Sequence, residues 1–480
     1  MPLTGSQFLA VAAEAPDAAP RPFGLRALLA RQAPRSSTGL LARFASGYLM
    51  GGIPEPDPVL YSQRSGAMPS AYALTDLITT TRPGKAPFFD GLGQIREAGN
   101  NAALLTFDPL TLKSMGLLSQ KLAVNYCNTR CEGARVGTIA IDGVTSTAGA
   151  LPTGMSAPGN AGLTLEVTRI IPMGEANAIE LRARGIANSD LRLYLSSGIA
   201  AAEQGDWFAT SGMIMAAAGV QPGCSWAVRS LTAFPSNQLG PLMRAWQRVR
   251  SVRQLSEASP GEARIELRFY LAAGQAYDWT FRLYIPALEK TSACSYAPML
   301  PPVGSPTTPT TRVADLYEIT DLTKIAFNPL AGTFVIRFWV DSFPATGGTG
   351  DQLGLFRTSH SSLTSFMRLT GRFNGGIRVE AGSDSTLTLD TPAGQLALGE
   401  NSLAFSYSQD RVSVSVNGND TVSAAWGSVV PASAADNLRL GDMSTASARK
   451  TNGPIGLFTY APVETTGADL KAASAAALTM

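Results

Sequence analysis

The chain has 480 residues, of which 15% are charged and 45% hydrophobic, with 47 glycines and 31 prolines. That is the profile of many short strands joined by turns, at a length that accommodates two or three domains with cores of their own. Lysine plus arginine number 38 against 36 aspartates and glutamates, a net charge of +2, too small to drive phosphate or anionic-membrane binding over the whole surface, so nucleic acid is not an expected partner.

No run of about eighteen uncharged apolar residues occurs, so membrane insertion is not expected. Asp17 and early prolines interrupt any signal-peptide pattern, so synthesis and folding are expected in the cytoplasm. In chain order, the sequence from Met1 to about Gly66 is rich in Ala, Pro, Arg and Ser, with helical patterning at 23–31 and 40–44. Pro54, Pro56 and Pro58 then exclude helix and central strand. This partly irregular, partly helical region is expected to be an attachment segment, and residues 79–125 a connecting neck. Beyond Tyr126 strands dominate. Leu163, Leu165 and Val167 alternate with polar neighbours, as do Leu191, Leu193 and Leu195, and then Ile265, Leu267, Phe269 and Leu271. Tyr277, Trp279, Phe281, Leu283 and Ile285 continue the pattern to Pro286, where the ladder loses a donor and the strand is expected to end. The proline-rich stretch 294–311 reads as the main linker. After it, Phe334, Ile336, Phe338 and Val340 share one strand face, opposite Val335, Arg337 and Trp339. Leu403, Phe405 and Tyr407 run up to a turn at Gln409-Asp410, and Val412, Val414 and Val416 run back to Asn417-Gly418, a dipeptide that favours positive φ. Residues 468–477 predict a short helix. The expected fold is mainly β: two antiparallel β-sandwich domains, jelly-roll or concanavalin A-like, over 126–310 and 311–480.

Catalytic patterns are weak. Glu262 and Glu266 share a strand face, which reads as a solvated stripe rather than an acid and nucleophile pair. The one histidine, His360, lies in a Ser-rich loop with no nucleophile elbow around it. No metal or other cofactor is expected: Cys127 and Cys131 form one close pair with no second knuckle, and Cys224 and Cys294 are remote. Reduced core cysteines are the main reading, with a Cys127–Cys131 disulfide as the alternative. Sugar binding needs an aromatic face for the pyranose C–H surface and planar polar groups for its hydroxyls. Trp207, Trp226, Trp246, Tyr277, Trp339, Tyr407 and Trp426 supply aromatics; Trp226 and Trp426 sit in loop-like contexts, and Asn417 adds an amide. Arg244, Arg248, Arg250 and Arg253 around Trp246 suit an acidic polysaccharide or form an ordinary solvated face.

Several short segments share order and spacing. They are Thr81-Arg82-Pro83-Gly84, Leu105-Thr106-Phe107-Asp108-Pro109-Leu110-Thr111, Gly116-Leu117-Leu118, Thr311-Arg312-Val313-Ala314-Asp315, Asn328-Pro329-Leu330-Ala331-Gly332 and Leu438-Arg439-Leu440-Gly441. This series resembles bacteriophage and prophage fibre or spike proteins with concanavalin A-like or LamG-like domains, from about Thr79 to the C-terminus. Where such proteins follow the Gly-Leu-Leu turn with an acidic residue and an Arg-Thr-Asn-Leu run, this chain has Ser119-Gln120-Lys121-Leu122, so contacts of that run do not carry over. The resemblance implies a virion location, a carbohydrate-binding-like middle domain, a lectin-like last domain and a homotrimer. The expected function is non-enzymatic: a fibre or spike that binds host surface polysaccharide, with residues 1–78 contacting other virion proteins. A decoration protein without sugar binding and a polysaccharide depolymerase are the alternatives.

Overall fold

A computed structural model describes residues 39–43, 59–63, 70–71, 74–120, 123–139, 148–158, 162–197, 199–234, 238–291, 308–340, 343, 352–359, 367–372, 374–381, 387–425, 435–441 and 453–479. The protein is mainly β, with antiparallel pairing throughout its named strands, and its strands form two sandwiches. One sandwich joins an eight-stranded to a five-stranded sheet over a core that includes Trp226, Trp279, Phe269 and Phe281. The other joins a ten-stranded to a seven-stranded sheet. Its core centres on Phe334, packed 4.4 Å from Phe356 and 4.7 Å from Tyr460 between ring centroids. Strict alternation drives this: Phe334, Ile336 and Phe338 face that core, while Val335 meets Leu470 and Ala473 of the helix Gly467–Ala477 on the outer side.

The sandwiches are nested rather than consecutive. Thr79–Thr81 borders the seven-stranded sheet, with Thr80 opposite Tyr317. Ser114–Ser119 adds to the ten-stranded sheet, with Leu117 opposite Ile455, and Leu105–Phe107 pairs with it in turn. Three strands of the expected neck are therefore part of the C-terminal sandwich, and residues 123–291 are inserted into that sandwich. Gly39–Arg43 departs from the helical expectation as well. It is a strand, with Leu41 opposite Thr459, because a sheet neighbour satisfies its backbone better than an isolated turn of helix. The expected helix at 23–31 and the linker at 294–307 lie outside the described residues.

Two features hold the nest together. The hairpin Ala86–Phe89 with Ile95–Ala98 buries Ile95 against Met213, Tyr284 and Ile285 on the outer face of the eight-stranded sheet. There the Ile95 N–H donates to the Tyr284 hydroxyl at 3.1 Å. Beside it, Arg82 and Asp315 form an ion pair at 2.9 Å with both side chains fully buried. The remaining Arg82 donors reach the carbonyls of Gly84, Gly99 and Ala102, and Asp315 accepts from the Gln120 N–H at 2.9 Å. Such saturation is what a buried ion pair requires.

One strand overran its expected end. Ala276–Thr291 continues through Pro286. Its register against Trp207–Gly219 shifts between Ser211 and Met213, and Ile285 takes a φ of 44°. This bulge absorbs the missing proline donor.

Candidate functional site

The five-stranded sheet runs Leu191–Tyr194, Gly261–Phe269, Gly223–Ser230, Gln238–Pro241, with Ile199–Ala202 also paired to Gly261–Phe269. Leu193, Ile265, Leu267, Trp226 and Val228 point into the core. Period-2 geometry then turns Arg192, Tyr194, Arg229, Arg264, Glu266 and Arg268 to the opposite face. The register places them together: Tyr194 opposite Glu266, Arg192 opposite Arg268, and Arg229 opposite Arg264.

Glu266 is the anchor, with none of its side chain exposed. Arg229 Nη1 donates to its Oε2 at 2.9 Å, and Arg268 Nε donates to its Oε1 at 2.7 Å. Arg229 Nη1 also donates to the Tyr194 hydroxyl at 2.6 Å, and Arg264 pairs with Glu262. The guanidinium carbons lie over aromatic rings: Arg264 is 4.5 Å and Arg229 5.2 Å from the Tyr194 centroid, and Arg268 is 3.9 Å from that of Phe234. Stacking and ion pairing hold these planes in place. Four arginines face two glutamates here, Arg192 carries no ion pair among the described residues, and Arg264 Nε is buried without a hydrogen-bond partner. The arrangement is a preorganised, positively charged layer suited to carboxylate, sulfate or phosphate groups.

Glu262 and Glu266 do share a face, yet they are not a solvated stripe, since arginines cover Glu266. Of the residues expected to touch sugar, Trp226 is fully buried, with its Nε1 donating to Thr210 Oγ1 at 3.1 Å. It is a core residue with no face to offer. Asn417 adopts a φ of 51°, and its amide is consumed internally: Oδ1 accepts from the Ser402 N–H at 2.7 Å, and Nδ2 donates to the Gln395 carbonyl and to Asn401 Oδ1. It shapes a turn. Trp246 is half-buried and lies 6.0 Å from Tyr284 on the hairpin side of the eight-stranded sheet. Trp426 and His360 lie outside the described residues. The arginine cluster is split by alternation: Arg253 turns inward to the Val228 carbonyl and Glu257, Arg244 is exposed, and Arg248 and Arg250 line a cleft at the junction of the sandwiches. Cys127 and Cys131 are free thiols rather than a disulfide. Burial pushes the Cys127 thiol well up and the Cys131 thiol to about 12. No cluster of three potential metal ligands occurs among the described residues.

Sequence reasoning missed Tyr194, Arg229, Arg264 and Arg268. The available signal was the alternation Glu262, Arg264, Glu266, Arg268; which strands flank it is a property of the fold.

No family profile matches the chain, and no curated protein matches it. Partial structural likeness extends to the CBM40 of the Ruminococcus gnavus IT-sialidase, at 16% identity over 33% of this chain and 91% of that one, with a TM-score of 0.28. It extends also to the tripod from the baseplate of bacteriophage Tuc2009, at 13% identity over 60% and 97% of the two chains with a TM-score of 0.21. Domains LG4-5 of the mouse laminin α1 chain show 12% identity over 57% and 84%, with a TM-score of 0.20. Overlaps this small leave function to the chain's own geometry.

Proposed function

We propose that this chain is a non-catalytic glycan-binding protein of a phage-like particle, a fibre or spike that captures acidic polysaccharide on the host surface through the arginine face of its inserted sandwich. The observation that carries the reading is the layer of guanidinium planes stacked on Tyr194 and Phe234 around Glu266. Arginines occupy the ring faces, so the recognising groups are charged forks and the preferred ligand is anionic. The Glu266 oxygens are engaged by Arg229 and Arg268, which suits a scaffold role rather than proton transfer. The virion setting, the attachment role of residues 1–78 and the homotrimer follow from the resemblance of the sequence motifs to phage fibres. In a trimer, weak single-site contacts gain avidity by ~10²–10⁴.

The test is binding of the full chain to host cells carrying their native acidic polysaccharide, the same polysaccharide with its carboxylates reduced, or none. Binding should follow the carboxylates, weaken with salt, and fall by about tenfold or more in Arg264→Gln with Arg268→Gln. Binding that ignores carboxylate reduction and both substitutions would favour a decoration protein instead.

A further inference from the structure

The junction cleft lies on the opposite side of the inserted sandwich from the arginine face. It has a volume of ≈ 380 Å³, within the roughly 300–1,000 Å³ typical of small-ligand sites. The bulge shapes it: Ser211, Met213 and Ile285 line the cleft where the register shifts, and Ile285 is held at a φ of 44°. A β-branched residue in that region is strained, and strain and bulges gather where a surface is formed for a ligand. We infer that this cleft binds a neutral pyranose, a sugar rich in hydroxyls and without an acidic substituent.

Polar groups of the lining that lack protein partners decide the ligand class. Ser211 is only 3% exposed, yet its hydroxyl has no hydrogen-bond partner among the described residues, and a buried hydroxyl left in that state is destabilising until a ligand or water meets it. Thr106, 1% exposed, accepts the Phe89 N–H at 3.2 Å, which leaves its own proton to donate. Asp108 closes its turn through Oδ1, accepting from the Leu110 N–H at 2.8 Å and the Thr111 N–H at 3.4 Å. This fixes the carboxylate and leaves Oδ2 without a hydrogen-bond partner among the described residues. Two hydroxyl donors and one fixed carboxylate acceptor suit the hydroxyls of a sugar. Trp339, half-buried, lines the cleft with Phe107, and the two rings offer apolar surface to pyranose C–H groups. Arg248 and Arg250 stand at the same cleft but have partners of their own, while Asp108 repels anions, so an acidic substituent gains nothing here. A wholly apolar ligand would strand the Ser211 hydroxyl and the Asp108 carboxylate. The ligand class comes from the cleft's own groups and stands apart from the arginine face, which selects anions.

The experiment titrates the full chain with the methyl glycosides of glucose, galactose and mannose, and with methyl glucuronide, following tryptophan fluorescence. At least one neutral glycoside should give a saturable change that Trp339→Phe abolishes and that Ser211→Ala and Asp108→Asn each weaken by about tenfold. Asp108→Asn keeps the Oδ1 that closes the turn and Ser211→Ala removes a single oxygen, so both variants should keep the thermal midpoint of the native chain. No saturable change with any neutral glycoside, a change that survives Trp339→Phe, undiminished affinity in both polar variants, or tighter binding of the glucuronide would each overturn the inference. So would self-association that Leu110→Ser with Leu398→Ser dissolves, since those exposed lining residues would then hold a second copy in the cleft. Arg264→Gln with Arg268→Gln should leave the glycoside titration unchanged, because the two sites are separate. Cell binding unaffected by those face substitutions would strike the proposed function and spare the cleft; carboxylate-dependent cell binding without any glycoside signal would do the reverse.

Discussion

Arg82 and Asp315 are 233 positions apart in the chain and 2.9 Å apart in space, so two short motifs far apart in sequence meet in one buried contact. Arg82 and Asp315 lie at the junction, while Gly116 pairs within the ten-stranded sheet, opposite Thr106. Gly116, at a φ of +104°, leaves no room for a side chain, because a Cβ there would sit 2.2 Å from the Ile455 carbonyl oxygen. Removing one partner of the ion pair strands a buried charge, so Arg82→Ala or Asp315→Ala should destabilise the protein by about 3–5 kcal/mol. Urea unfolding checks this, and the double variant Arg82→Met with Asp315→Leu should lose less than either single change. The thiols make a second residue-scale prediction. Cys127, Cys131 and Cys224 are buried, and desolvation raises all three thiols, the latter two to about 12. At pH 8 the native chain should leave them unlabelled by a thiol reagent that modifies all of them once urea is added. The folded pKa values are raised, so their contribution to stability is complete below the unfolded value of 9.0 and is lost progressively as pH rises above it toward about 12. Cys224→Ala should flatten that alkaline decline.

Individual strands were legible wherever one face met a core. The alternation of Leu403, Phe405 and Tyr407 with Val412, Val414 and Val416 predicts a hairpin, and those residues pair directly, Leu403 with Val416 and Tyr407 with Val412. Local pattern failed where tertiary context supplies what the segment lacks. Pro286 signals a strand end, but the register shift at Ser211 and Met213 lets the ladder pass it. The bulge leaves Gly212 facing the Trp226 indole, where a Cβ would lie 2.7 Å from the ring. Gly212→Ala should therefore overpack the core and destabilise by about 1–3 kcal/mol, read as a lower thermal midpoint; an unchanged midpoint would refute the bulge geometry. The candidate site shows the same division. Alternation revealed which residues of Gly261–Phe269 share a face, whereas the meeting of Glu266 with Arg229 and Tyr194 depends on strand order, which no single strand's sequence encodes.

Across the whole molecule, a linear division at the proline-rich stretch reads two consecutive domains, because composition marks where a chain is punctuated and not what it pairs with. The structure instead closes the inserted sandwich at a neck of its own, with Asn125 opposite Thr310 and Val124 opposite Thr311. Chain ends that already sit side by side make an insertion removable, since little closure entropy is needed to rejoin them. Replacing residues 126–309 with a two-residue Asn-Gly turn should leave the outer sandwich folded, with a cooperative thermal transition and a monodisperse elution profile. A fragment of residues 311–480 should aggregate, because it lacks Thr79–Thr81, Leu105–Phe107 and Ser114–Ser119 and so exposes the core around Tyr317 and Ile455. The comparison is decisive in either direction. If 311–480 folds cooperatively and the excised chain does not, the two sandwiches are independent in sequence order and the nested architecture is wrong. If the excised chain folds, it should also lose the arginine face, giving a scaffold against which the inserted sandwich's share of any glycan binding can be measured.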